Sequence, residues 1–197
     1  TTLEAAKALR GSLRHAMDGQ VASSMRSKGL YYGINFGLTL DYILRLAEKQ
    51  PKSADLARYI LSRDVRELKI IGQLIYPEEA VTYEVATQLA LSSFSNPELL
   101  DYLAKHFFDR IPEASYWALD WIFTEHSQRW EDLLPVAFTI LARWLSQGFR
   151  IEHEAHRKRL LSEVLEILSD SEVPFPTPLQ RTALLMLKRW GRSDEEL

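Results

Sequence analysis

Residues 25–39 read Met-Arg-Ser-Lys-Gly-Leu-Tyr-Tyr-Gly-Ile-Asn-Phe-Gly-Leu-Thr and combine two cations, three aromatic rings and three glycines. Arg26 and Lys28 can hold phosphate oxygens, and Tyr31 and Tyr32 offer faces on which a sugar or base stacks. Gly29, Gly33 and Gly37 recur every four residues, and glycine permits positive φ and the close approach of a partner. The same stretch also suits a structural turn whose tyrosines pack on the first helices. Arg66 and Lys69 lie three apart on one helical face as further phosphate contacts, beside Asp64 and Glu67, which can neutralise them. Arg157 and Lys158, with Arg150 and Arg159 close by, make a basic helix end and a second phosphate-contact patch.

The run Glu152-His153-Glu154-Ala155-His156 invites a metal reading. A zincin helix needs its histidines four apart with Glu beside the first. Here they are three apart and no third ligand is evident, so no metal site is assigned. No P-loop, nucleophile elbow or complete dinucleotide fingerprint is present, and no organic cofactor is implied. Trp117, Trp121, Trp130 and Trp144 recur among apolar helix neighbours and read as core. Trp190, flanked by Lys188, Arg189 and Arg192, reads as partly exposed.

The elements that must position these residues are helices. Apolar residues at helical spacing predict segments near 3–17, 41–48, 56–61, 65–74, 82–91, 98–108, 113–124, 131–145, 154–168 and 179–190. No segment alternates with period two long enough to argue a strand. Pro51, Pro77, Pro97 and Pro112 fall near predicted helix starts, where a missing N–H costs little. Asp64, Thr82 and Asn96 suit capping, and Pro174, Pro176 and Pro178 mark a loop before the last helix. Ten helices joined by short links predict an all-α fold of stacked antiparallel pairs, an α-solenoid of HEAT-like kind, formed as a single domain over residues 1–197. The internal repeat is weak in the letters, so a compact all-α bundle is the alternative arrangement.

Composition narrows the function classes. The chain has 197 residues, 46% of them hydrophobic and 26% charged, and it lacks cysteine, which excludes disulfides, thiolate zinc sites and thiol catalysis. No apolar run approaches the ~20 residues that span a bilayer, and no signal-peptide pattern opens the sequence. A cytoplasmic monomer without a membrane partner is the expectation. The net charge of −3 hides an asymmetry. Residues 1–75 hold 12 Lys and Arg against 7 Asp and Glu, residues 76–142 hold 3 against 11, and residues 143–161 hold 5 against 2. Two basic regions flanking an acidic one can track phosphates or can be ordinary solvated helix faces.

The glycine segment, the helix start Asp64-Val65-Arg66-Glu67-Leu68-Lys69, the later Tyr76-Pro77-Glu78-Glu79 and the stretch 113–121 together resemble one known family. They are similar to the DNA alkylation repair proteins built from HEAT-like repeats, the alkylpurine DNA glycosylases. The resemblance covers roughly residues 13–145. It implies a curved solenoid whose basic face grips duplex DNA, with a cationic alkylated purine held near aromatic rings and one carboxylate during glycosidic cleavage. The family's tryptophan followed four residues later by aspartate falls at Pro97 and Asp101, so the carboxylate is present without the aromatic. Its arginine falls near Pro135, and a tryptophan of the last helix region falls at Leu185 or Met186, one turn before Trp190.

The resemblance therefore implies a divergent member that binds the duplex DNA backbone through Arg26, Lys28, Tyr31, Tyr32, Arg66, Lys69, Arg157 and Lys158. Whether it is an alkylpurine DNA N-glycosylase acting through Asp101 or a catalytically silent binder stays open. The alternative from another class is a non-catalytic helical-repeat scaffold for a protein partner, favoured by the acidic stretch 78–132.

Overall fold

The computed structural model describes residues 1–93, 95–124, 132–169 and 177–193. Among these the fold is all-helical, with eleven α-helices and no strand beyond an isolated parallel bridge between Ile34 and Val65. The chain gathers into two compact units, Thr1–Thr82 and Tyr83–Leu197.

The first unit holds α1 (Thr2–His15), α2 (Gly19–Ser27), α3 (Leu40–Glu48), α4 (Ala54–Leu61) and α5 (Arg66–Ile75). The first helix carries Ala6, Leu9 and Leu13 on its buried stripe, at the three- and four-residue spacing expected of one face. Thr1 and Glu4 close a capping box at its start. The second helix is one that apolar periodicity did not predict. It buries no residue and starts because the Asp18 carboxylate accepts the backbone N–H groups of Gln20 and Val21, at 2.9 and 3.1 Å. Beyond it, α4 packs on α1 and α5, and α5 on α3.

The second unit holds α6 (Tyr83–Leu91), α7 (Pro97–Tyr102), α8 (Ala114–Phe123), α9 (Leu134–Ser146), α10 (Glu154–Ser169) and α11 (Pro178–Ser193). Asn96 caps α7 through Glu98 and Leu99, with Pro97 in the first turn as its position predicts. The helix expected over 98–108 is not uniform, since α7 passes into a π-helical stretch Leu103–Phe107 and a 3-10 turn Phe108–Arg110. Every residue from Leu134 to Ala142 is buried, so α9 is apolar all round and packs against α8 and α11. Arg143 at its far end donates from Nε to both carboxylate oxygens of Asp109, at 2.9 and 3.1 Å, tying α9 to the 3-10 turn.

Two tryptophans anchor this core. Trp121 is fully buried and donates its indole N–H to the Thr87 hydroxyl at 3.2 Å. Trp190 is 1% exposed, which corrects the partly exposed placement expected from its basic neighbours. The arginines beside it leave the helix by its outer side while the indole fills the core. Trp130, Pro174 and Pro176 lie outside the described residues. Pro178 is the first residue of α11.

Candidate functional site

The glycine-rich segment forms an extended loop between α2 and α3, and its unusual residues serve the fold first. Ile34 N–H donates to the Asp64 carbonyl at 2.9 Å, and Arg66 N–H donates to the Ile34 carbonyl at 3.0 Å. Asp64, expected to cap α5, instead accepts the Gly33 N–H on its carboxylate at 2.9 Å, and Val65 takes the capping position. A Cβ at Gly33 would lie 2.5 Å from that carboxylate oxygen, and one at Gly37, where φ is +74°, would lie 2.0 Å from the Asp18 carbonyl oxygen. The close approach that these glycines permit is to the chain itself.

Behind the loop sits a buried ion pair. Glu67 is fully buried and accepts the backbone N–H groups of Phe36 and Leu38, at 3.1 and 3.2 Å. Arg66 lies 3.2 Å from the same carboxylate and donates to the Leu38 carbonyl at 2.8 Å. At 3% exposure it cannot reach a phosphate, so its expected place among the DNA contacts is corrected. A buried guanidinium needs a carboxylate and hydrogen-bond acceptors around it, and here those come from Glu67 and the loop backbone. Lys69, one turn further along α5, is half-buried.

With its back fixed, the loop presents its front to solvent. Arg26 and Lys28 are exposed and have no carboxylate partner among the described residues, and Tyr31 is 71% exposed. Arg26 and the half-buried Tyr32 line a small groove of about 240 Å³ with Ser23 and Asn35. A larger groove of about 540 Å³ in the same unit is lined by Lys7, Arg10 and Arg63 beside the apolar Leu3 and Ile34. The Arg63 guanidinium stands 4.5 Å over the Tyr59 ring. The sequence reading missed Lys7 and Arg10. Their three-residue spacing on one face of α1 was the signal available.

In the second unit Asp101 is exposed on α7 and makes no hydrogen bond or ion pair among the described residues. It lines none of the grooves described here. Pro97 lies one turn before it on the exposed side, so no aromatic face is supplied from that position. On α10, Arg157 and Lys158 share Glu154, at 3.9 and 3.4 Å, leaving Lys158 the more exposed of the two.

The residues 149–159 build a cleft of about 570 Å³ against α8. Tyr116 and Phe149 meet edge to face with centroids 5.7 Å apart. His153 and His156 stand 5.4 Å apart, with Phe123 a further 5.4 Å from His156. Arg159 lies 4.8 Å over the Phe123 ring and donates to its carbonyl at 2.5 Å. Asp120 accepts the Tyr83 hydroxyl at 2.5 Å, and burial together with this bond pushes the Tyr83 phenol well above its ordinary range. No group of three or more metal-ligating side chains occurs among the described residues.

No protein-family model, no curated protein and no solved structure matches this chain. No helix among the described residues is long and apolar enough to cross a membrane.

Proposed function

We propose that this chain binds the phosphate backbone of duplex DNA, as a divergent relative of the DNA alkylation repair proteins. The observation that carries the reading is the loop of the first unit. It displays two unpaired cations, Arg26 and Lys28, and the exposed ring of Tyr31 on a frame held by the buried Glu67. A clamped loop loses little conformational freedom when it meets a ligand, so the electrostatic gain is kept. Lys7, Arg10 and Arg63 extend the cationic surface of that unit, and Lys158 adds one on the second. Packing of helices on their neighbours and on the next but one, as α4 on α5 and α9 on α11, supports the HEAT-like arrangement.

The enzymatic form of this proposal is hydrolysis of the N-glycosidic bond at an alkylated purine. The cationic base departs neutral with the bonding electrons, Asp101 stabilises the cationic sugar, and water adds at the sugar carbon and releases its proton to solvent. It needs no metal or organic cofactor.

The test is a salt titration of binding to a short duplex. Affinity should fall steeply with salt, and replacing Arg26 and Lys28 by Ala should reduce the slope by about two phosphate contacts. No binding at low salt would refute the proposal. Release of methylated purine that Asp101→Asn abolishes would establish the enzyme, and binding without release would leave a silent binder.

A further inference from the structure

The aromatic cleft of the second unit continues into a groove of different chemistry. A groove of about 310 Å³ is lined by Arg150, Arg189 and Arg192, together with Ser146 and Ser193. None of the three arginines has a carboxylate partner among the described residues, and no carboxylate lines the groove. Arg150 lines both this groove and the aromatic cleft.

The charges divide the two spaces. In the cleft, Arg150 and Arg159 face Asp120 and Glu152, so formal charge is nearly balanced before the histidines are counted. In the groove three positive charges stand without a carboxylate among the described residues. Arg189 and Arg192 also complement the carbonyl end of α11, but Arg150 lies outside any helix and has no such duty. A ring with modest charge suits the first space, and phosphate suits the second.

The rings narrow the ligand further. Arg159 and His156 already cover Phe123. Tyr116, by contrast, is 63% exposed and braced edge-on by Phe149, leaving a face open for stacking. Asp120 and Glu152 can accept hydrogen bonds from an exocyclic amine, as carboxylates do from amino-bearing bases. A volume of about 570 Å³ lies within the range of pockets that hold such a group.

We propose that the second unit binds an unpaired strand of nucleic acid, with one base stacked on Tyr116 in the aromatic cleft and the adjoining phosphates on Arg150, Arg189 and Arg192. The site stands on the geometry of this unit and shares with the duplex reading only the premise that nucleic acid is the partner. A free mononucleotide offers the same ring and one phosphate, but it leaves most of the arginine groove unused.

The test uses the full chain and an unpaired DNA pentanucleotide with 2-aminopurine at its centre, whose emission reports stacking. Binding at low salt with a change in emission is expected. Tyr116→Ala should weaken it roughly tenfold, as loss of one stacked base does. Arg189→Ala combined with Arg192→Ala should weaken it and lower its salt slope. All three side chains are exposed, and unchanged helical circular dichroism verifies folding. The variant lacking Arg26 and Lys28 should keep the change in 2-aminopurine emission that Tyr116→Ala removes, which separates this site from the duplex surface. Absence of binding, binding indifferent to Tyr116→Ala, or a 5′-mononucleotide held as tightly as the pentanucleotide would each overturn the inference.

Discussion

The loop at residues 28–39 and the cleft built from residues 116–159 both look like ligand sites in composition, but they use their residues in opposite ways. In the loop the rare features face inward. Gly33 and Gly37 admit Asp64 and the Asp18 carbonyl, while Arg66 and Glu67 fasten the backbone from behind. In the cleft the rare features face outward, with Tyr116, His153 and Arg150 on its walls. The difference teaches that residue type announces chemical capacity, whereas hydrogen-bond accounting decides whether the fold has already used it. A carboxylate that satisfies two backbone N–H groups is spent, and an arginine with no carboxylate partner is available.

The strongest way to break this comparison is to remove the clamp. Glu67→Ala should destabilise the protein by about 3–5 kcal/mol, because it leaves the Arg66 guanidinium buried without its carboxylate and orphans two backbone donors. Urea denaturation followed by circular dichroism measures it. A loss below about 1 kcal/mol would mean that the loop holds its shape by other means. Tyr116→Ala, on the exposed wall of the cleft, should change stability by less than about 0.5 kcal/mol in the same assay.

The glycines sharpen the comparison at a smaller scale. Gly37→Ala meets both a positive φ of +74° and a carbonyl oxygen 2.0 Å from the new Cβ, so the backbone must move. It should cost at least about 2 kcal/mol. Gly29 has φ +86° but open space around the same position, so Gly29→Ala should cost only about 1 kcal/mol. Equal costs at the two sites would show that left-handed backbone alone accounts for the demand for glycine in the loop, and that the contact with Asp18 yields freely.

The helices were legible because their apolar residues recur at helical spacing. The exceptions have physical causes. In α2, no residue is buried and Asp18 alone sets the start, so periodicity had nothing to report. The π-helical stretch after α7 shifts the register within an apolar run that reads as one helix. Among site residues, the exposure of Arg26, Lys28 and Tyr31 agrees with their composition. Arg66 was misread because burial of a cation depends on Glu67 and on loop carbonyls 28 residues away in sequence. The arginine groove was invisible because Arg150 and Arg192 are joined only by the packing of α9 against α11.

The smallest predicted effect is a pH dependence belonging to the second unit. Burial, with Lys105 and Arg143 adding to it, holds the His106 imidazole below its ordinary value of 6.5, against the opposing pull of Asp101 and Asp109. Because the folded chain keeps this ring neutral longer than the unfolded chain does, the unfolded state binds more protons between the depressed value and 6.5. Stability should therefore be full above 6.5 and decline as pH falls through that window, with a slope smaller than one proton's worth because the ring is only half-buried. His106→Gln should remove this component. The measurement is the difference between wild-type and variant unfolding free energies across pH 7 to 5 by urea titration. A difference that does not vary with pH would show that His106 titrates alike in both states. The contrast with the first unit would then rest on the clamp alone.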